Sequence, residues 1–201
     1  MEKIITHLKK DAVLTRIIEN LEPLIPIVPY TDIYPSLIRS IISQQLSTKA
    51  AASIHQRFLE FVGEDHDKQT FISINDDSLR SLGLSYSKIK YIKNIAQFFL
   101  DNPTFAYDIT SMADEEIIEK LVQIKGVGVW TVQMLLIFTL GSEDVLPLDD
   151  LIVRKGIIYH YGLDETAKDI KQQCMNVGEN WKPYRSTGSR YMWAAKDQMK
   201  R

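Results

Sequence analysis

The sequence predicts an all-α protein, and three observations support this fold class. Apolar residues recur three and four positions apart in most segments, which is the period of a helix with one buried face. No segment convincingly alternates apolar and polar residues between turns, as a half-buried strand would. Capping residues and glycines divide the periodic segments into lengths typical of helices. Each periodic segment is therefore predicted to be a helix.

In the first half of the chain, prolines and glycines set the helix boundaries. Pro23, Pro26 and Pro29 prevent a helix and force an extended connector, which is the best candidate for a boundary between two lobes. Gly63 closes a long helix, and a polar loop is expected over residues 64–68. Three helices are predicted at about residues 11–21, 36–45 and 48–62. A short helix capped by Asp76 or Asp77 should end near Gly83, and a further helix should begin at Ser85 and end before Pro103.

The second half is predicted to contain helices and one glycine-rich corner. Ser111 and Asp114 have the spacing of a capping box at the start of a helix. The corner, Ile124-Lys125-Gly126-Val127-Gly128-Val129-Trp130-Thr131, separates that helix from an apolar one. The predicted helices are 111 to about 123, 130–140 ended by Gly141, about 166–181 capped by Thr166, and a last one after Pro183.

The composition limits the classes of function. A chain of 201 residues can bury a core, and its one cysteine, Cys174, cannot alone hold a zinc ion or an iron–sulfur cluster. We expect a reducing cytoplasm and no membrane span. The net charge of −2 argues against a protein that binds by covering phosphates with cations. It leaves room for an enzyme that grips a few phosphates locally.

The corner at Gly126 and Gly128 has the chemistry of an anion site. Backbone N–H groups at the N-terminus of the second helix, with the positive end of its dipole, would attract a phosphate. Both glycines would permit positive φ values and a close approach of backbone to ligand. A plain turn between two helices also favours glycine, so the motif alone leaves both interpretations open.

Five stretches, taken together, resemble the helix-hairpin-helix superfamily of DNA glycosylases. Residues 121–132 resemble its hairpin, and residues 145–156 resemble its Gly/Pro-rich loop with the catalytic aspartate. Residues 37–51 resemble the segment that carries the family's wedge, 79–93 its connecting helices, and 181–193 its C-terminal pattern. The resemblance is greatest to the 3-methyladenine DNA glycosylase II branch.

This resemblance implies the fold, the partner and the cofactors. The expected fold is the short, all-helical form with a DNA cleft between two lobes: residues 30–146, with the hairpin at about 115–140, and residues 1–29 plus 147–201. The expected partner is double-stranded DNA with alkylated bases, bound by a monomer that is nucleoid-associated in a bacterium or nuclear in a eukaryote. No cofactor or iron–sulfur cluster should be required. The family's hairpin often binds Na⁺ or K⁺ through backbone carbonyls, here those of Val122, Ile124 and Val127.

The implied activity is hydrolysis of the N-glycosidic bond of alkylated purines such as 3-methyladenine and 7-methylguanine, with Asp150 as the catalytic carboxylate. Bond cleavage develops positive charge on the sugar, which a carboxylate can stabilise while it orients the attacking water. From the chain alone, the pair Asp149-Asp150 ahead of Leu151 could simply be a helix cap. The family's aspartate matches the second position, with Asp149 as the cap or a neighbour.

The resemblance also assigns a base-binding pocket. Trp130 stands where bifunctional members carry a lysine, whose Schiff base with the sugar leads to strand cleavage, so the enzyme should lack AP-lyase activity. Trp130 and Trp193 would stack on the flipped base and attract positively charged purines by cation–π interactions. Met134 and Leu151 stand where some relatives have aromatic residues, which makes this pocket less aromatic. Both tryptophans could instead be ordinary core residues.

Two further groups are assigned to DNA binding. Gln45 matches the residue that fills the gap left by the flipped nucleotide, and Leu46 is the neighbouring apolar candidate. Lys182, Arg185 and Arg190 are additional candidates for phosphate contacts. The strand's backbone would be bound at the hairpin by Lys125, Gly126, Gly128, Val129 and Thr131.

Three alternatives remain open. The chain could be a non-catalytic helix-hairpin-helix protein that binds DNA structures, which would bind abasic-site DNA without releasing a base. It could be a glycosylase for mismatched, deaminated or oxidised bases. It could also be a helical interaction module, which would bind no DNA even at low salt. The four histidines, His7, His55, His66 and His160, lack the spacing of metal ligands.

Overall fold

The computed structural model of the chain describes residues 1–30, 32–63 and 67–199. Within these ranges the regular structure is helical and contains no strand, which confirms the predicted all-α class. Residues 64–66, including His66 and most of the expected loop, lie outside the described residues. The α-helices are α1 Glu2–Leu8, α2 Ala12–Glu19, α3 Ile33–Ser43, α4 Thr48–Val62, α5 Lys68–Ser73, α6 Asp76–Ser81, α7 Tyr86–Asp101, α8 Phe105–Asp108, α9 Asp114–Leu121, α10 Val129–Leu135, α11 Leu151–Tyr161, α12 Ile170–Glu179 and α13 Arg185–Ala194.

Three shorter helical segments adjoin these helices. A π-helix, Leu136–Leu140, continues directly from α10, and 3₁₀ segments follow α8 and α13 at Ile109–Ser111 and Ala195–Met199. In the described part of the chain, no helix is both long enough and apolar enough to span a bilayer.

The chain divides into two compact units. The first unit consists of residues 1–28 and the chain from Leu136 onward, and the second consists of residues 29–135. The sequence-based division lies at residues 29/30 and 146/147. Residues 136–146 are part of the first unit, where the Val145 N–H donates to Ser186 Oγ at 2.9 Å and Asp144 Oδ1 accepts from Arg185 Nε at 2.7 Å.

Close packing of α11 against α13 organises the first unit. A Cβ on Gly188 of α13 would lie 2.5 Å from Cε3 of the buried Trp181, so only glycine fits there. A Cβ on Gly156 of α11 would lie 3.1 Å from Met192 Cβ, at the close limit of van der Waals contact. Gly188 thus packs on a residue that precedes α13 in the chain, whereas the contact of Gly156 with Met192 brings α11 close to the end of α13.

Hydrogen bonds attach the N-terminal helices to this pair. Asp11 caps α2 through Oδ1, which accepts the N–H groups of Val13 and Leu14, and its Oδ2 accepts the Tyr161 hydroxyl at 2.7 Å. Burial and the hydrogen bond to Asp11 raise the pKa of Tyr161, so the hydroxyl remains a donor.

The second unit is built around α3 and α7. Leu37 and Ile41 of α3, with Ile92 and Ala96 of α7, are fully buried where the two helices pack. This packing follows from the apolar residues that recur three and four positions apart in both segments. The helices α5, α6 and α10 pack around this pair.

Several helix starts differ from the predictions in the first half of the chain. The sequence-based analysis missed α1 and α5, both short. The helix α3 begins at Ile33 rather than Ser36, because Pro35 occupies its first turn, where a missing N–H breaks no helical hydrogen bond.

Two predicted caps in the second half are wrong. The Ser111 hydroxyl donates to the Asp108 carbonyl, and α9 begins at Asp114 without a side-chain cap. The Thr166 hydroxyl donates to Asp164 Oδ1, and α12 begins only at Ile170. In both cases the side chain forms a local turn instead of capping the helix.

Candidate active site

Asp150 lies at the start of α11 and is held there by the helix itself. Its Oδ1 accepts the backbone N–H groups of Ile152 at 2.9 Å and Val153 at 3.0 Å, so Asp150 is the N-cap of α11. The side chain is half-buried. A carboxylate at this position also faces the positive end of the helix dipole.

A third donor reaches the same oxygen from α13. Trp193 Nε1 donates to Asp150 Oδ1 at 2.9 Å, which joins residues 43 positions apart in the chain. Three N–H donors from two directions restrict rotation of the carboxylate more than a cap alone would. The structure thus brings together Asp150 and Trp193, two of the site residues predicted in the first unit.

The neighbouring aspartate has a different environment. Asp149 is exposed and pairs with Lys171 Nζ at 2.8 Å. The cap of α11 is therefore Asp150 and not Asp149. The residue that caps the helix is thus the same one that the family resemblance identifies as the catalytic aspartate. Such an exposed ion pair contributes little to stability.

An aromatic residue that the sequence analysis missed lies against Trp193. Phe138 is 46% exposed, and its ring centroid is 5.4 Å from that of Trp193 with the planes tilted by 39°. Leu151, the predicted pocket residue next to Asp150, is 53% exposed. The four-residue spacing from Trp130 through Met134 to Phe138 is the signal that could have identified Phe138.

The two glycines of the hairpin differ from each other. Gly126 has φ +106°, and a Cβ there would lie 2.1 Å from Tyr91 Cγ, so both the conformation and the packing require glycine. Gly128 does not have a positive φ, and a Cβ there would meet nothing within 4 Å. The expectation of a positive φ at Gly128 is wrong, because of the two glycines only Gly126 adopts a positive φ.

The remaining hairpin residues divide by exposure. Lys125 is exposed, and Val129 and Trp130, at the first two positions of α10, are 43% and 38% exposed. Trp130 is therefore a surface residue of the second unit rather than a core residue, and Met134, one turn further, is half-buried. Thr131 is 2% exposed, so the prediction that it contacts the DNA backbone does not fit its buried side chain.

The predicted wedge residues lie in a tight turn of the second unit. Gln45 and Leu46 are both exposed, between the end of α3 and the start of α4. Ser47 caps α4 by accepting the Ala50 N–H at 3.3 Å. The turn thus presents one polar and one apolar side chain to solvent.

Two of the further cations proposed for phosphate contacts are engaged within the first unit. Arg185 donates to both carboxylate oxygens of Asp144, at 2.7 and 3.1 Å, and Arg190 donates to the Ile25 carbonyl. Burial lowers the pKa of Arg190. These contacts make both arginines structural residues, whereas Lys182 forms only an exposed pair with a neighbouring glutamate.

Metal-binding groups are not gathered by the described part of the chain. No three His, Cys, Asp or Glu side chains in it come together around a common point, and Cys174 is buried. At the hairpin, the Ile124 carbonyl accepts the Val127 N–H at 2.9 Å. A carbonyl has a second lone pair, so the predicted monovalent cation remains compatible with this turn.

Comparison with known proteins adds to this geometry. Residues 38–180 match the family model described as HhH-GPD superfamily base excision DNA repair protein. DNA-3-methyladenine glycosylase 1 of Schizosaccharomyces pombe is 34% identical over an alignment of length 206. The alignment covers 96% of this chain and 89% of that protein. YfjP of Bacillus subtilis is 31% identical over 175 residues, and the match spans 84% of this chain but only 60% of YfjP.

A solved structure is similar over nearly the whole chain. The Schizosaccharomyces pombe 3-methyladenine DNA glycosylase Mag1, in complex with abasic DNA, superposes with a TM-score of 0.81 and 31% identity. The superposition covers 97% of each chain.

Proposed function

The chain belongs to the HhH-GPD superfamily of base excision DNA repair proteins, and we propose that it is a monofunctional DNA glycosylase that excises alkylated purines. The observation that carries the proposal is the carboxylate of Asp150, held by three N–H donors. One of these donors is the indole of Trp193, against which the exposed ring of Phe138 lies. The similarity in sequence and in structure to 3-methyladenine DNA glycosylase of Schizosaccharomyces pombe supports the substrate class.

The proposed reaction is hydrolysis at C1′ of the deoxyribose. The bond from C1′ to the purine nitrogen breaks with its electron pair on the base, and water supplies the hydroxyl that replaces it and releases a proton. Asp150 stabilises the positive charge that develops on the sugar and orients the water. Its orientation is set before the substrate arrives, because the N–H donors of Ile152, Val153 and Trp193 all converge on one oxygen.

The aromatic residues account for a preference for alkylated purines. 3-Methyladenine and 7-methylguanine carry a formal positive charge in DNA, and each good cation–π contact contributes about 0.5–2 kcal/mol. Trp193, which donates to Asp150, and Phe138, whose ring lies against that of Trp193, supply two adjoining aromatic rings. We assign Trp130 to the base as well, by its resemblance to the family's stacking residue.

The hairpin is proposed to bind a phosphate of the damaged strand. The N-terminal end of α10 carries the positive end of the helix dipole, and a Cβ at Gly128, directly before it, would meet nothing within 4 Å. Gln45 and Leu46 would then fill the gap that the flipped nucleotide leaves. A lysine that could form a Schiff base is missing at the hairpin position of Trp130, so the strand should remain intact.

A duplex oligonucleotide with one 7-methylguanine tests the proposal. We expect the protein to release the base and leave an abasic site, so that the strand breaks only after alkali treatment. Strand breakage without alkali would contradict the monofunctional assignment. Tight binding to abasic-site DNA with no base released from any lesion would instead identify a non-catalytic binder of DNA structures.

A further inference from the structure

Lys88 of α7 makes contacts that the proposed mechanism does not use. Its Nζ donates to the Ile42 carbonyl at 2.8 Å and to the Gln44 carbonyl at 2.7 Å, across more than forty residues of sequence. These carbonyls lie at the C-terminal end of α3, where helical partners are lacking and the dipole is negative. Burial lowers the pKa of Lys88, as expected for an ammonium group taken partly out of water.

The turn that Lys88 holds is conformationally strained. Gln45 has φ +57°, and it is the one non-glycine residue with a positive φ in the described part of the chain. This left-handed conformation costs a residue with a Cβ roughly 1–2 kcal/mol, so it persists only where the surroundings impose it. Lys88 binds the carbonyl immediately before Gln45, which limits rotation of the peptide group that enters the turn.

The same helix also holds the hairpin. Tyr91 packs on Gly126, where even a Cβ would overlap with its ring, and Asn94 Nδ2 donates to the Lys125 carbonyl at 3.0 Å. Residues 88, 91 and 94 are three positions apart, so they lie along one side of α7. A single rigid helix therefore fixes the Gln45 turn at a set distance from the phosphate-binding corner.

We propose that Lys88 is a positioning residue for base flipping, which holds the turn Gln44–Leu46 in the conformation that enters the duplex. The inference rests on the proposed function, because it gives a role to a turn that matters only if a nucleotide is rotated out. Lys88 acts through Gln45 and Leu46 and has no part in breaking the glycosidic bond.

This role predicts a defect that depends on the base opposite the lesion. Opening a stacked, paired base costs a few kcal/mol, and a base without a partner costs less to flip. A loosened turn should therefore slow excision from a fully paired site. It should have little effect where the opposite strand offers no pairing partner.

The test compares Lys88→Met with Lys90→Met, an exposed lysine of the same helix that serves as the matched control. Base release would be measured under single-turnover conditions from two duplexes, with 7-methylguanine opposite cytosine or opposite an abasic analogue. We expect Lys88→Met to lose about tenfold on the paired site and less than about twofold on the unpaired site. Lys90→Met should match the wild type on both.

The ratio of the two rates keeps the test independent of folding, because an unfolded fraction lowers both rates equally. Lys88→Leu, which also removes the donor, gives the same comparison if Lys88→Met does not fold. An equal loss on both duplexes, or no loss on either, would overturn the inference while the proposed function stands. A wild-type protein that releases base from neither duplex would overturn both.

Discussion

Asp150 has an observed role as the N-cap of α11 and a proposed role in catalysis, and substitution can separate the two. The cap needs an oxygen acceptor, and the proposed role beside the sugar needs a negative charge. Asparagine keeps the acceptor and removes the charge, whereas alanine removes both. The two substitutions therefore report on different functions of one side chain.

We predict different stabilities for these two variants. Asp150→Asn should unfold at the wild-type temperature, because asparagine caps helices about as well as aspartate. Asp150→Ala should lose about 1 kcal/mol, which lowers the melting temperature by about 2–4 °C in a protein of this size. Thermal denaturation followed by circular dichroism measures both, and equal melting temperatures for the two variants would contradict the capping role.

The indole N–H of Trp193 provides a second prediction at the residue scale. Trp193→Phe keeps an aromatic ring next to Phe138 but removes the donor to Asp150 Oδ1. We expect the single-turnover rate to fall about tenfold. The factor should be similar for every base excised, because the donor orients the carboxylate rather than the base.

A double-mutant cycle checks this coupling. In an Asp150→Asn background, Trp193→Phe should cause little further loss, since the charge that it orients is already gone. If Trp193→Phe lowers the rate by the same factor in both backgrounds, or lowers it only for charged bases, then Trp193 acts only by stacking.

At the scale of elements, the hairpin shows which features the sequence can predict. The Gly-x-Gly motif indicated a sharp corner between two helices, and the structure places a corner there. It could not indicate which glycine reverses the chain, because that depends on Tyr91 of α7, thirty-five residues away from Gly126. The capping predictions at Ser111 and Thr166 failed for a similar reason, since local turn hydrogen bonds competed with the helix.

The two glycines should respond differently to alanine. Gly126→Ala should destabilise the second unit and lower the melting temperature, because the Cβ overlaps with Tyr91 and φ +106° is strained for alanine. Gly128→Ala should leave the melting temperature unchanged but weaken binding to abasic-site DNA, because its Cβ would occupy the space proposed for the phosphate. Thermal denaturation and DNA binding would be measured on both variants. Binding by Gly128→Ala that equals that of the wild type would contradict the prediction.

At the scale of the whole molecule, the fold class and the order of the motifs could be predicted from the sequence, because both depend on local periodicity and spacing. The contact from Trp193 to Asp150 could not, because it depends on how Met192 of α13 packs against Gly156 of α11. Phe138 was missed for the same reason: its exposure next to Trp193 is a property of the packed unit.

The overall charge leads to a prediction about DNA binding. Because the net charge is −2, the affinity for DNA should come from a few local phosphate contacts rather than from a positive potential over the whole protein. We expect the logarithm of the association constant for abasic-site DNA to fall with the logarithm of salt concentration with a slope of about −3 to −5. Fluorescence anisotropy at several salt concentrations measures this slope, and a value steeper than about −8 would indicate an extensive electrostatic interface instead.

The central claim is that the charge of Asp150 drives base excision. Chromatography of bases released from randomly methylated DNA, by the wild-type protein and by Asp150→Asn at matched concentration, tests it most directly. We predict that the wild type releases 3-methyladenine and 7-methylguanine, and that the variant is slower by about two to three orders of magnitude although it folds and binds abasic-site DNA. Release by Asp150→Asn at the wild-type rate would contradict the claim.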